Sequence, residues 1–140
     1  MNIREFPGPV PTDPRKRTEG LILLVEDDFV LRSSLTELLE EEGFRVECSA
    51  DGRDAFRRLH ESPRPNLILL DVMLPHLDGF EFRALQRKVP HFANIPVVVM
   101  SAYHLDRATL EQLELPVSFR KPLDVARLVS TMRELTLPVV

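Results

Sequence analysis

Five short apolar runs alternate with segments of helical hydrophobic spacing, and this alternation constrains the fold of the chain more than any other feature. The runs lie at 21–25, 45–48, 67–70, 97–100 and 117–119. Short apolar runs that alternate with amphipathic segments are typical of a parallel sheet that helices cover on both faces. The sequence therefore predicts an α/β fold with a doubly wound, five-stranded parallel sheet.

Each run is followed by a predicted helix. The apolar face of the first helix consists of Leu31, Leu35, Leu38 and Leu39. Gly43 closes that helix as a left-handed C-terminal cap, and Asp124 caps the start of the last helix. The other helices are predicted around 55–59 and across 80–88, 106–113 and 125–135.

The length of the chain, 140 residues, suits a single domain. Residues 1–18 favour extended, poorly packed backbone because they contain Pro7, Pro9, Pro11 and Pro14. We therefore expect a disordered, proline-rich N-terminal tail at 1–18, one folded domain at 19–137 and a C-terminal tail at 138–140.

The charge and the hydropathy pattern exclude several classes of function. The net charge of −4 argues against a general nucleic-acid binder, which needs a basic face to neutralise phosphates. No apolar stretch approaches the roughly 20 residues that span a bilayer, and the N-terminus lacks the apolar core of a secretory signal. We therefore expect a cytoplasmic protein that has no membrane segment and does not bind nucleic acid directly.

Polar residues follow four of the runs at the point where each run ends. Glu26 and Asp27 follow the first run, Asp71 the third, Ser101 the fourth and Lys121 the fifth. Ligand sites of doubly wound folds lie outside the carboxyl ends of the strands, so we expect these five side chains to converge. Three carboxylates repel one another and favour a hard divalent ion such as Mg²⁺. The sequence therefore predicts a phosphoryl-transfer site with Asp71 as the nucleophile.

Four motifs, in order, resemble the receiver domain of bacterial response regulators. They are Glu26-Asp27-Asp28, the stretch DVMLPHLDG at 71–79, Ser101-Ala102 and Lys121-Pro122. The similarity covers about 21–135. The resemblance implies a stand-alone receiver domain of the chemotaxis-regulator kind, with its strands in the flavodoxin-like order 2-1-3-4-5, that acts in a two-component system or a phosphorelay.

The resemblance also implies a role for each residue of the site. Asp71 would take a phosphoryl group from a phosphohistidine of a sensor histidine kinase or a histidine phosphotransfer protein, with Mg²⁺ as the cofactor. The implied metal ligands are Asp27 directly, Glu26 mainly through water, Asp71, and the backbone carbonyl of Met73. The implied phosphoryl contacts are Ser101 and Lys121. In the family, the proline after the lysine, here Pro122, often follows a cis peptide bond.

The residues that flank the reacting phosphorus in receivers are Met73 and Tyr103 in this chain, together with Ala102. Hydrolysis of an acyl phosphate needs a water in line behind the phosphorus, and polar side chains at these places can orient one. The apolar chain of Met73 and the bulky ring of Tyr103 offer little to orient that water. We therefore expect slow dephosphorylation.

Two departures from the family pattern concern the output of the switch. Ser118 occupies the position where the family usually has Tyr or Phe, and Phe119 follows one place later. The segment between the fourth and fifth runs is shorter than the common pattern, and it contains Leu115 and Pro116 in place of the usual small, glycine-containing turn. The usual aromatic switch is therefore absent, which puts the usual coupling of phosphorylation to output in question.

Two other functions stay open at this point. One is a receiver-like interaction module that acts without phosphorylation, against which the complete acidic set argues. The other is an Asp-nucleophile phosphatase of the haloacid-dehalogenase type, which would place a second Asp where Met73 stands. No DNA-binding or enzymatic domain follows Leu137 in the sequence, so we expect a monomer or weak dimer that acts through contact with an unidentified protein.

Overall fold

The computed structural model describes residues 20–61, 63–115 and 117–136. These residues form the strands β1 Gly20–Val25, β2 Phe44–Ser49, β3 Leu67–Asp71, β4 Val97–Ser101 and β5 Ser118–Arg120. The strands lie in the order β2-β1-β3-β4-β5, and every neighbouring pair is parallel. The predicted doubly wound sheet and its order 2-1-3-4-5 are confirmed.

The helices of the described residues are α1 Phe29–Glu41, α2 Gly52–Glu61, α3 Gly79–Lys88, α4 Pro90–Ala93, α5 Arg107–Gln112 and α6 Val125–Thr136. The caps predicted at Asp124 and Gly43 are present, and Asp28 provides a further cap. Asp28 and Asp124 accept backbone N–H groups at the starts of α1 and α6. Gly43, beyond the end of α1, has a left-handed φ of 100°.

One helix was not predicted, and one expectation about the helices is wrong. Helix α4, which was not predicted, is a single turn that begins at Pro90 and buries Phe92. The fixed φ of proline suits the start of a helix. Leu38 was expected on the apolar face of α1 but is 37% exposed, whereas Leu35 and Leu39 are buried. Leu38 lies about 100° around the helix from Leu39 and therefore falls at the edge of the buried face, where solvent reaches it.

The sheet is covered by an apolar layer on each face. Leu23, Leu70 and Phe82 belong to the layer that contains α2 and α3, and Leu24 and Leu128 belong to the layer that contains α1 and α6. In the central strands β3 and β4 the polar residues Asp71 and Ser101 therefore stand only at the ends, whereas the edge strand β2 also carries Arg45 and Glu47 within its length. The tails predicted at 1–18 and 138–140 lie outside the described residues. Within the described part of the chain, no helix has both the length and the apolar character to cross a membrane.

Candidate functional site

The carboxyl ends of β1, β3, β4 and β5 meet at one edge of the sheet. Asp71 and Ser101 are the last residues of β3 and β4, while Glu26 with Asp27 follows β1 and Lys121 follows β5. Because the strands are parallel, all of these ends point the same way. The structure thus places the five residues that the sequence singled out at a single rim.

Three carboxylates form a cluster at this rim. One oxygen each from Glu26, Asp27 and Asp71 lies within 4.8 Å of the other two. Glu26 and Asp71 are 0% and 3% exposed, whereas Asp27 is open to solvent. Two like charges about 4 Å apart repel by roughly 1–4 kcal/mol, depending on the effective dielectric. The cluster therefore needs positive charge close by.

Lys121 supplies that charge. Its Nζ donates to Oε1 of Glu26 at 2.8 Å and to Oδ2 of Asp71 at 2.9 Å. Its backbone N–H donates to the carbonyl of Ser101 at 2.8 Å, and the peptide bond to Pro122 is cis. Burial lowers the pKa of Lys121, but its hydrogen bonds to both carboxylates outweigh burial and raise that pKa above its ordinary value. The ammonium group therefore stays charged and joins the two buried acids.

Glu26 is the most deeply enclosed of the acids. Its Oε2 accepts the N–H of Asp28 at 3.0 Å, and its own N–H donates to the carbonyl of Ser49 at 3.0 Å. Burial raises the pKa of Glu26 to about 7; the hydrogen bonds from Lys121 and Asp28 oppose this rise, and the charge of Asp71 adds to it. Ionised Glu26 is therefore costly unless further positive charge is close.

Asp71 has both carboxylate oxygens hydrogen-bonded. Oδ1 accepts the N–H of Met73 at 2.9 Å, and Oδ2 accepts from Lys121. Across the rim, the hydroxyl oxygen of Ser101, which is 1% exposed, accepts the N–H of Tyr103 at 3.0 Å. The backbone that follows each strand thus holds the carboxylate of Asp71 and the hydroxyl of Ser101 in place at the ends of the adjacent strands β3 and β4.

A family model described as the response regulator receiver domain matches residues 22–133. This chain belongs to the response regulator receiver family. Among solved structures, it resembles the receiver domain of the sensor histidine kinase PA1611 from Pseudomonas aeruginosa PAO1, which has a magnesium ion coordinated in its active-site cleft (30% identity, TM-score 0.75, covering 84% of this chain and 97% of that one). It also resembles the Mn²⁺-bound response regulator Rcp1 (30%, TM-score 0.71, covering 86% and 99%).

Among curated relatives, the receiver domain is similar to the transcriptional regulatory protein CpxR homolog of Haemophilus influenzae. The two are 38% identical over 123 residues, which cover 84% of this chain and 52% of the relative. The chain spans about half the length of the curated relatives it matches. These relatives are named as regulators rather than as enzymes, and the receiver domain belongs to two-component signal transduction.

The oxygen donors of the receiver domain fit a divalent cation. Glu26, Asp27 and Asp71 each bring a carboxylate oxygen into the cluster, and Mg²⁺ takes a few carboxylates while keeping several waters. Lys121 contacts two of the three acids, and Asp27, the third, is exposed to solvent, where a hydrated ion can approach. The residues present are therefore compatible with Mg²⁺ or Mn²⁺.

Arg32 is a contact of the site that the sequence analysis missed. Its Nη1 donates to the backbone carbonyl of Glu26 at 2.7 Å, and its guanidinium lies 5.6 Å from the ring centroid of Phe29. Arg32 follows the cap residue Asp28 by four positions, so it lies above that cap on the same side of α1. This spacing is visible in the sequence and is the signal that would have indicated a basic group beside the end of β1.

The predicted flanking residues lie on the exposed rim of the site. Met73 is 49% exposed and Tyr103 is 55% exposed, and Ala102 is also exposed. Phe29 and Val30, at the start of α1, are the other strongly exposed large apolar residues near this edge. Exposed apolar side chains thus follow each of the strands β1, β3 and β4 at this edge of the sheet.

The first two residues of β5, Ser118 and Phe119, point to opposite faces of the sheet, as successive strand residues do. Ser118 is half-buried, whereas Phe119 is buried in the layer of α1 and α6, with the guanidinium of Arg127 4.9 Å from its ring centroid. The aromatic side chain of β5 therefore belongs to the layer opposite α5, and Phe119 does not substitute for an aromatic residue at position 118.

Proposed function

We propose that this receiver domain is a phosphoacceptor switch in which Asp71 takes a phosphoryl group from a phosphohistidine of a sensor histidine kinase or a histidine phosphotransfer protein. The observation that carries the proposal is the ammonium of Lys121, 2.9 Å from Asp71 and next to the carboxylate cluster. Phosphoryl transfer needs a positioned nucleophile and positive charge for the phosphoryl oxygens, and this arrangement provides both.

The residues of the site divide the transfer between them. A carboxylate oxygen of Asp71 bonds to phosphorus while the bond from phosphorus to the donor nitrogen breaks, which yields an acyl phosphate and free histidine. Lys121 pairs with a phosphoryl oxygen. The hydroxyl of Ser101 already accepts from Tyr103, so its own proton is available for another phosphoryl oxygen. When bound by the carboxylates, Mg²⁺ neutralises charge on the phosphoryl group.

The proposal predicts that acetyl phosphate or phosphoramidate with Mg²⁺ adds one phosphoryl group to the wild-type protein and none to Asp71→Asn. Asp78→Asn is the matched control, because Asp78 caps α3 a few residues away and makes no contact with Lys121 that the structure shows. This variant should be labelled like the wild type. Intact mass spectrometry measures the gain. An unlabelled wild type beside a labelled known receiver would contradict the proposal.

A receiver-like interaction module is the second candidate, and the serine at position 118 favours it. Because β5 has no aromatic side chain on the face of the sheet that α5 covers, the usual link from the phosphoryl group to an output surface is missing. An Asp-nucleophile phosphatase has less support, because Met73 offers no carboxyl group where such an enzyme needs its acid–base residue.

The sequence and the relatives suggest two different downstream targets. The sequence favours an unidentified protein, contacted by a monomer or weak dimer in the cytoplasm. The relatives are named transcriptional regulators and are about twice as long as this chain, which makes DNA a candidate target of a longer protein that carries such a domain. We do not expect residues 20–136 themselves to contact nucleic acid directly.

The acyl phosphate on Asp71 should decay slowly, and the double variant Met73→Asn, Tyr103→Glu should speed its decay about tenfold or more, because polar groups that orient water accelerate such steps. Decay is followed by the loss of protein-bound phosphate after removal of the donor. Val30→Asn is the control, since it changes an even more exposed apolar residue at the same edge. Equal or slower decay in the double variant would show that these side chains do not control the attacking water.

A further inference from the structure

Helix α2 begins directly against the main chain of the phosphoacceptor loop, which we define as residues 72–78 between β3 and α3. Gly52, the first residue of α2, is buried. A Cβ atom at position 52 would lie 2.1 Å from the carbonyl oxygen of Leu77 and 3.0 Å from its carbonyl carbon. Both are backbone atoms, which cannot rotate away as the end of a flexible side chain can. The helix and the loop therefore approach this closely only because residue 52 is glycine.

The phosphoacceptor loop is tied to the site at both of its ends. The N–H of Met73 donates to Asp71 at 2.9 Å, and the N–H of Gly79 donates to the carbonyl of Val72 at 3.0 Å. Leu77 lies between these two anchors, four residues from Met73. A displacement of Leu77 is therefore passed along a short, restrained segment to the backbone beside Asp71.

The conformation of the loop is one that its surroundings must hold in place. His76 has a φ of 67°, in the left-handed region that residues other than glycine rarely adopt. Such a conformation persists only where neighbouring contacts over-determine it. Two contacts of Leu77 hold the loop in this conformation. Its N–H donates to the carbonyl of Pro75 at 2.7 Å, and its carbonyl lies directly against Gly52.

The turn that precedes α2 touches the other half of the site. Ser49, the last residue of β2, accepts the N–H of Glu26 at 3.0 Å. The carboxylate of Asp51 accepts the N–H of Asp54 at 2.7 Å, which fixes the point where α2 begins. Gly52 therefore lies between the acids that follow β1 and the loop that follows β3.

We infer that Gly52 is a positioning residue for the phosphoryl and metal site, because its missing side chain sets the spacing between these two halves. The inference rests on the proposed function. A Cβ at this position must separate the two backbones by about 1 Å, and a misplacement of that size can slow a reaction about a hundredfold. Changes in the groups that support metal ligands typically weaken metal binding about 10- to 100-fold.

Gly52→Ala is expected to weaken Mg²⁺ binding about tenfold or more, measured by calorimetry with magnesium chloride alone. It is also expected to slow labelling by acetyl phosphate at saturating Mg²⁺. Gly43→Ala is the matched control, since Gly43 has a φ of 100° that alanine adopts only with strain, but it precedes β2 at the opposite edge of the sheet. This control should lower the urea midpoint and leave Mg²⁺ affinity and labelling unchanged. Asp27→Ala serves as the reference for a lost metal site.

If Gly52→Ala does not fold, the inference is tested on the wild-type protein by nuclear magnetic resonance. The backbone amide resonances of Gly52 and Leu77 should shift when Mg²⁺ is added, and that of Gly43 should not. Wild-type affinity in a folded Gly52→Ala, an equal loss in Gly43→Ala, or unmoved resonances at Gly52 and Leu77 would overturn the inference alone. A wild-type protein that neither binds Mg²⁺ nor takes a phosphoryl group would overturn the proposed function and the inference with it.

Discussion

Without Mg²⁺, and above about pH 7, Glu26→Gln should be more stable than the wild type by up to about 3 kcal/mol. Burial raises the pKa of Glu26 from 4.5 to about 7. Between these values the folded protein holds a proton that the unfolded chain has released, so the free energy of unfolding falls as pH rises through this window. Glutamine carries no charge and still offers Lys121 an oxygen acceptor, so the variant avoids this loss.

Urea unfolding below and above the window measures the effect. The free energy of unfolding of the wild type should fall across this pH window, whereas that of Glu26→Gln should change little. Asp54→Asn is the control: burial raises the pKa of Asp54, but hydrogen bonds, first from Arg57, outweigh burial and lower that pKa from 3.8, so Asp54 titrates below the window. A slope in Glu26→Gln equal to that of the wild type would show that buried Glu26 is not its source.

Mg²⁺ should reverse the order of stability between wild type and Glu26→Gln. A ligand that binds only the folded state stabilises it in proportion to the logarithm of its concentration over its dissociation constant. The wild type has three acids at the cluster and the variant has two. Mg²⁺ should therefore raise the urea midpoint of the wild type more than that of Glu26→Gln, and an equal rise in both would contradict a role for Glu26 in metal binding.

Arg83→Met should destabilise the domain by about 3 kcal/mol, because it removes the partner of one buried and two partly buried acceptors, and a buried acceptor without a partner costs about 1–3 kcal/mol. Arg83 lies on α3 and is 6% exposed. Its guanidinium donates to the carbonyls of Leu113 and Glu114 at 3.0 and 2.8 Å, and to the side-chain oxygen of Gln86 at 2.8 Å. The Gln86 amide in turn donates to two carbonyls that flank the end of α4.

Arg87→Met is the control, because Arg87 lies one turn later on the same helix and reaches the same end of α5. It donates to the carbonyl of Gln112 at 3.1 Å and pairs with the exposed side chain of Glu114. Half-exposed ion pairs of this kind contribute up to about 1 kcal/mol. Urea unfolding of both variants tests the contrast, and a similar loss in each would show that Arg83 acts only as a surface charge.

The hydrogen bonds of Arg83 are especially important for holding the short helix α5 in place. None of the residues Arg107–Gln112 is buried, and an open cavity of about 390 Å³ separates α5 from α3 near Phe80. Few apolar contacts therefore hold the helix, and the hydrogen bonds of Arg83 secure its C-terminal end. We expect Arg83→Met to expose the amides of α5 to hydrogen exchange before those of α6.

Local patterns of apolar and polar residues were enough to predict the sheet and the location of the site. Aliphatic runs buried on both faces specify parallel strands, and polar residues such as Asp71 and Lys121 can stand only where those runs end. The convergence of the site follows from this rule, because parallel strands finish at one edge. The same local reasoning did not find α4, which is too short to show a helical period.

Contacts between segments that are distant in sequence could not be predicted from local patterns. Whether Gly52 meets Leu77, or Arg83 meets the end of α5, depends on how two helices pack on one sheet, and no local pattern encodes that distance. The pKa of Glu26 is likewise a property of its burial and of Lys121, 95 positions away. The periodicity of apolar residues indicates which face of a helix or strand is buried. Interatomic distances and pKa values depend instead on which atoms of other segments pack against that face.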